Sequence, residues 1–182
     1  MTPAERKQVI DYLQESLQNL VRTTQALSPT QLQFKPATDR WSAAECLEHI
    51  IVVETLVLKR INGAVLVPSD ASKQSAFRER DSVLVQGVVG RAERAKSPEA
   101  GLPTGRWPHE QLLPEFRAAR SRSLEFALNT TANLRQHLSP HPRFGELDCY
   151  QWLLLIGAHG ERHRAQIEEV LASAESPRAA SA

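Results

Sequence analysis

Two histidines one helical turn apart, His159 and His163, stand near the end of the chain, and a third, His49, lies far upstream. Neutral imidazole offers a nitrogen lone pair at physiological pH and is the commonest ligand of divalent transition metals. At i and i+4 of a helix, His159 and His163 project from one face, near enough to share an ion. With about 100° per residue, Trp152, Leu155, Ile156, Ile167 and Val170 lie within roughly 80° of His159, so the pair sits in an apolar stripe and points inward. Two imidazoles buried there need partners, because an unsatisfied buried polar group costs about 1–3 kcal/mol. Hydrogen bonds inside a core would meet that need, and so would a metal ion. The run His159-Gly160-Glu161-Arg162-His163 is not a zincin helix, which requires Glu directly after the first His.

His49 supplies a third donor. It shares its face with Glu45, Val52, Val53 and Leu56, again a largely apolar set. Three imidazoles from two helices fill three positions of a tetrahedral or octahedral site and leave the rest for water or substrate, the mark of a catalytic rather than a structural centre. All-imidazole ligation suits Zn, Ni, Cu or Fe and does not select Mg or Ca. Glu45, one turn before His49, is a candidate to orient a ligand or accept a proton, in competition with a role as a helix-capping acid. His141 is a second candidate for catalysis, because its loop precedes the helix that bears His159 and His163. Arg162 and Arg164 flank the ligand helix and are candidates to guide an anionic cofactor, against the plainer reading of a solvated face. His109 stands at a helix start, with a surface role expected, and His137 near a helix end, where an imidazolium suits the dipole.

These donors require long helices to position them, and the periodicity supplies them. From Thr2 to Leu27, apolar residues recur at Ile10, Leu13, Leu17, Leu20, Val21 and Leu27, behind a capping box of Thr2 and Glu5 with Pro3 between. Ser28-Pro29 restarts a short turn or helix. A second capping box, Ser42 to Glu45, opens a helix expected to reach about Gly63. The stretch 63–108 is rich in glycine and proline and predicts a long crossover, with one short helix around Arg80 to Val89. A third long helix is expected from His109 to Leu138 and a fourth from about Leu147 to Ala172. No stretch shows sustained strand alternation. The expected architecture is all-α: a four-helix bundle with a long crossover between helices 2 and 3, in up-down-down-up order. It spans one domain, 1–172, followed by a flexible tail, 173–182.

The totals narrow the function. Lys and Arg number 22 against 21 Asp and Glu, a net charge of +1, which lacks the basic surplus that nucleic-acid binding wants. The apolar run of the last helix is too short to span a membrane, and the N-terminus lacks the pattern of a signal peptide. Cys46 and Cys149, both in helices, are expected as buried free thiols of a cytoplasmic protein. No Gly-rich phosphate loop, Cys-x-x-Cys pair or nucleophile elbow offers a competing chemistry.

Two segments together carry a family likeness. Trp41-Ser42-Ala43-Ala44-Glu45-Cys46-Leu47-Glu48-His49-Ile50, followed by Trp152-Leu153-Leu154-Leu155-Ile156-Gly157-Ala158-His159-Gly160-Glu161-Arg162-His163-Arg164-Ala165-Gln166-Ile167, resembles the DinB/YfiT-like superfamily over about Glu5 to Leu171. The resemblance implies a four-helix bundle that binds Zn or Ni through one His of the second helix and two of the last, matching His49, His159 and His163. His141-Pro142 and Phe144-Gly145 also resemble the family's loop. It further implies a small-molecule substrate and a homodimer. Characterised relatives include S-transferases that use mycothiol or bacillithiol and thiol-dependent maleylpyruvate isomerases; others are classed as hydrolases or damage-inducible proteins. In the transferases, a cation lowers the pKa of a low-molecular-weight thiol, which then attacks an electrophile; a hydrolase would activate water instead. A metal-binding, stress-associated protein without turnover and a bundle with hydrogen-bonded core histidines are the remaining readings.

Overall fold

A computed structural model describes residues 1–69, 79–91 and 97–173. Helix α1 (Pro3–Thr24) starts at the Thr2 capping box: Thr2 Oγ1 accepts from Glu5 N–H and Glu5 accepts from Thr2 N–H. The same reciprocal device opens α2 (Pro29–Gln33) at Ser28 and α3 (Ala43–Ala64) at Ser42. After α3 come a short helix, α4 (Asp81–Val89), and a 3-10 turn, Glu99–Gly101. Helix α5 (His109–Asn129) follows. A 3-10 turn (Leu134–Gln136) leads to an antiparallel hairpin of β1 (Leu138–His141) and β2 (Gly145–Asp148). The last helix, α6 (Cys149–Leu171), is capped by Asp148 and Gln151.

Cross-helix partners set the direction of each long helix. Tyr12 and Ser16 meet Gly157, Asn19 bonds Glu161 and Thr23 bonds Glu168, so α1 and α6 run parallel. Arg6, at the start of α1, donates to Ala127, Leu128 and Thr130 carbonyls at the end of α5, so those two are antiparallel. On α3, His49 meets His159 while Arg60 lies over the Trp152 ring, which makes α3 antiparallel to α6. The order is up-down-down-up. Because α3 and α5 run the same way, the connection must travel back along a helix of 22 residues, about 33 Å. That return is the physical reason for the long crossover. Of the stretch expected to form it, 70–78 and 92–96 lie outside the described residues, as does the tail from 174 onward.

The core is mostly Leu, Val, Ile and Ala, with Phe116, Tyr150 and Trp152 as its large aromatics. Two glycines let α1 approach α6 closely: a Cβ on Gly157 would stand 2.7 Å from the Tyr12 ring, and one on Gly160 2.7 Å from Ser16 Oγ. Ser16 Oγ then donates to the Gly157 carbonyl. At the centre of the bundle, Arg120 is fully buried and grips Glu54 with two parallel bonds of 2.9 and 3.0 Å. Its third donor, Nη1, reaches the Leu13 carbonyl at 2.7 Å, while Ser123 Oγ donates to Glu54. One guanidinium thus joins α1, α3 and α5.

Four expectations need correction. The chain contains a short hairpin where none is expected: four-residue strands interrupted by Pro140 are too brief to show alternation. And the third long helix stops at Asn129 rather than Leu138, because Thr130 is extended and Arg6 takes up the freed carbonyls. His137 accordingly follows a 3-10 turn, not a helix end, and its carbonyl accepts from Cys149 N–H. The fourth helix likewise begins two residues after Leu147, which lies in β2. Cys46 and Cys149 are buried free thiols, and burial pushes both up to about 12. No helix of the described residues is long and apolar enough to cross a membrane.

Candidate metal centre

The capping box at Ser42 fixes the register of α3 and places His49 two turns in, on the face turned to α6. Helix α6 brings His159 and His163 to meet it. The three ring centroids are 4.5, 4.6 and 4.9 Å apart, and one ligand-type nitrogen from each residue lies within 4.8 Å of the others. His49 and His163 are buried; His159 is partly exposed and marks the approach. Trp41 closes one side, its ring 4.8 Å from His49 and stacked 6.1 Å from His163. Trp41 therefore walls the site as well as packing beside it.

Hydrogen bonds decide which nitrogen faces inward. His49 Nδ1 lies 2.6 Å from the Gly101 carbonyl, which only accepts, so the ring proton sits on Nδ1 and Nε2 is bare. That bare Nε2 is 3.1 Å from His159 Nε2. Two nitrogens about 2.0–2.1 Å from one tetrahedral ion stand roughly 3.3–3.4 Å apart, so the spacing already suits a shared cation. His163 Nδ1 is 2.9 Å from Gln166 Oε1, which leaves its Nε2 available in the same way. Gly101 is itself held: the neighbouring Glu48 carboxylate is buried and accepts from three successive N–H groups, Thr104 at 2.7 Å, Gly105 at 2.8 Å and Arg106 at 3.3 Å. Gly105, at φ +74°, permits that convergence. The end of the crossover is thus fastened to α3 at Glu48 and to its ligand ring at His49.

Burial pulls all three imidazoles below their ordinary pKa. For His49 the Gly101 bond opposes this in part; for His159 the other two rings add to it, and for His163 the His49 ring does. The site is therefore a set of neutral donors able to hold a divalent ion.

The remaining candidates stand elsewhere. Glu45 accepts from Ser42 N–H at 2.8 Å and from Lys35 at 2.9 Å, which engages it at the helix start. Arg162 donates to the Val88 and Gly90 carbonyls at the end of α4. Arg164 pairs with Glu161 and Glu168 on the surface. His109 meets Gln33 at the start of α5. His141 ends β1 beside Phe144 and Trp152, its Nδ1 accepting from the Arg143 and Phe144 N–H groups of the hairpin turn.

Protonating His141 would break both turn bonds, and burial with Arg60 and Arg143 nearby lowers it from 6.5 to about 4. Between those values the unfolded chain binds a proton that the folded chain refuses, so stability falls as pH drops from 6.5 towards 4. The three clustered imidazoles act in the same direction. Urea unfolding of chelator-treated protein should show this slope, and H141N should flatten it; equal slopes for both proteins would contradict the assignment.

The family comparison coincides with this geometry. The model of the DinB superfamily matches residues 12–167, which hold all three histidines. The chain belongs to the DinB superfamily. It is also similar to Uncharacterized protein YuaE of Bacillus subtilis (strain 168), 25% identical over 145 residues that cover 79% of this chain and 85% of that protein. No solved structure matches the chain. In this DinB-superfamily protein the sequence pattern finds the three rings but misses what orients them. Gln166, three residues from His163 on the same helix, carries a detectable i, i+3 signal. Gly101 carries none, because its carbonyl arrives from a loop.

Proposed function

We propose that this DinB-superfamily protein is a metal-dependent enzyme in which His49, His159 and His163 hold Zn or Ni, and that it transfers a low-molecular-weight thiol to an electrophile. The observation that carries the reading is the convergence of three neutral imidazoles with two of their inward nitrogens fixed by outer bonds. An ion held there supplies Lewis acidity that lowers the pKa of a thiol or water in an open position. Gly101 and Gln166 orient the ligand rings, and the Trp41 ring shields His49 and His163 from solvent on one side. Cys46 and Cys149 are buried and protonated, so the nucleophilic sulfur must come from the incoming thiol.

A carboxylate-assisted hydrolysis is disfavoured by where the acids go, because Glu45 is engaged at its cap and Glu48 in the loop anchor. A thiol ionised by the cation needs no such base. Water ionised by the cation alone needs none either, and the test separates the two nucleophiles. The test incubates metal-loaded protein with monochlorobimane and a panel of cellular thiols. Carbon–sulfur bond formation with release of chloride and the thiol proton, dependent on metal, is the expected result. Turnover of esters or amides instead would transfer the assignment to hydrolysis. Metal binding with no turnover of either kind would leave a binding protein.

A further inference from the structure

His49 owes its tautomer to a backbone carbonyl that cannot change character, but His163 depends on a side-chain amide that can turn over. With its NH2 towards the ring, Gln166 would make Nδ1 an acceptor and send the proton to Nε2, closing that lone pair to an ion. Arg91, just past the end of α4, removes the choice. Its Nη1 lies 3.3 Å from Gln166 Oε1, and a guanidinium only donates, so the amide atom between Arg91 and His163 is the oxygen. Arg91 is held in turn by two bonds to Glu169, 2.8 and 2.7 Å, and Nη1 also reaches the Arg162 carbonyl at 3.5 Å. Arg40 approaches the same Glu169 carboxylate at 3.6 Å.

We propose that Arg91 and Gln166 are positioning residues for the metal centre: Arg91, docked on Glu169, aims the Gln166 amide oxygen at His163 and so keeps the ring in the Nδ1–H form that presents Nε2. This rests on the reading of His163 as a ligand. The hydrogen bonds of Arg91 go to Glu169, Gln166 and the Arg162 carbonyl rather than to an imidazole, yet it governs whether one of the rings can donate. The segment that leaves α4 therefore acts on one ligand through Arg91, while the far end of the crossover acts on another through Gly101.

The experiment compares wild type, R91A, Q166L and Q166E. Nitrogen–proton correlation spectra of the imidazoles, taken on chelator-treated protein and assigned with H163N, read the tautomer of His163 without metal. Competition with a chromogenic chelator reads the affinity for Zn. Wild type should show Nδ1–H. Q166L should shift towards Nε2–H and bind Zn about 10–100-fold more weakly. R91A should mix the two tautomers and lose a smaller factor. Q166E, an obligate acceptor, should restore Nδ1–H and tight binding, a rescue that a purely structural role would not produce. Wild-type tautomer and Zn affinity in both R91A and Q166L would overturn the proposal. Should Q166L fail to fold, R91A decides, since Arg91 lies near the surface. If wild type binds no Zn, the ligand reading fails by itself, and the tautomer in R91A still judges Arg91 and Gln166.

Discussion

H159A is expected to abolish stoichiometric metal binding while leaving the fold nearly intact. Wild-type protein purified with Zn or Ni present should carry about one ion per chain by elemental analysis, the number one three-imidazole site can hold. Removal of a direct ligand should cost more than the ~10–100-fold typical of outer partners. His159 is the residue to choose. By residue surface it is the most exposed of the three, and its side chain bonds His49 within the site, whereas His163 is buried and tied to Gln166. Stability offers a second readout. A ligand at 100 times its Kd stabilises the folded chain by about 2.7 kcal/mol, and that gain should be seen with wild type and vanish in H159A. An H159A protein that keeps one tightly bound ion would end the assignment.

R120M is expected to be the most destabilising single change. It removes both bonds to Glu54 and the bond to the Leu13 carbonyl, leaving a carboxylate with 3% exposure and, among the described residues, only Ser123 as partner. Stranding a buried charge in this way costs about 3–5 kcal/mol, a large part of the 5–15 kcal/mol that holds a typical domain together. Urea unfolding should report the loss as a lower midpoint. The double variant E54L/R120M should recover much of it, because a fully apolar replacement leaves no unpaired charge. A loss below about 1 kcal/mol in R120M would show that water or rearrangement satisfies Glu54.

What could be learned from the sequence follows from how local each signal is. His159 and His163 are four apart on one helix, and His49 is placed by a capping box seven residues before it, so short-range rules reach all three. The bundle order was legible for the same reason, since a long glycine- and proline-rich link implies that the helices it joins are parallel. The hairpin was not: Pro140, Pro142 and Gly145 mark a break, but four-residue strands lie below the length at which period two can be seen. Arg120 and Glu54 were equally silent, because each is one charge among many on an amphipathic helix and only the packing buries it. The same holds for Arg91, whose partners Gln166 and Glu169 lie more than seventy residues away.

The 3.1 Å approach of His49 to His159 closes a loop of 110 residues. His159 and His163, in contrast, are neighbours as soon as α6 winds, within about a microsecond for an isolated helix. The site is therefore assembled in two unequal instalments: a two-nitrogen half formed locally, and a third donor that arrives only when the first and last parts of the chain have met. Contacts of such long sequence separation form late and slow the folding of the proteins that rely on them. An ion joining His49 to His159 would also act as a reversible clip across that long loop, and its release on unfolding would return the whole closure entropy of the loop to the chain.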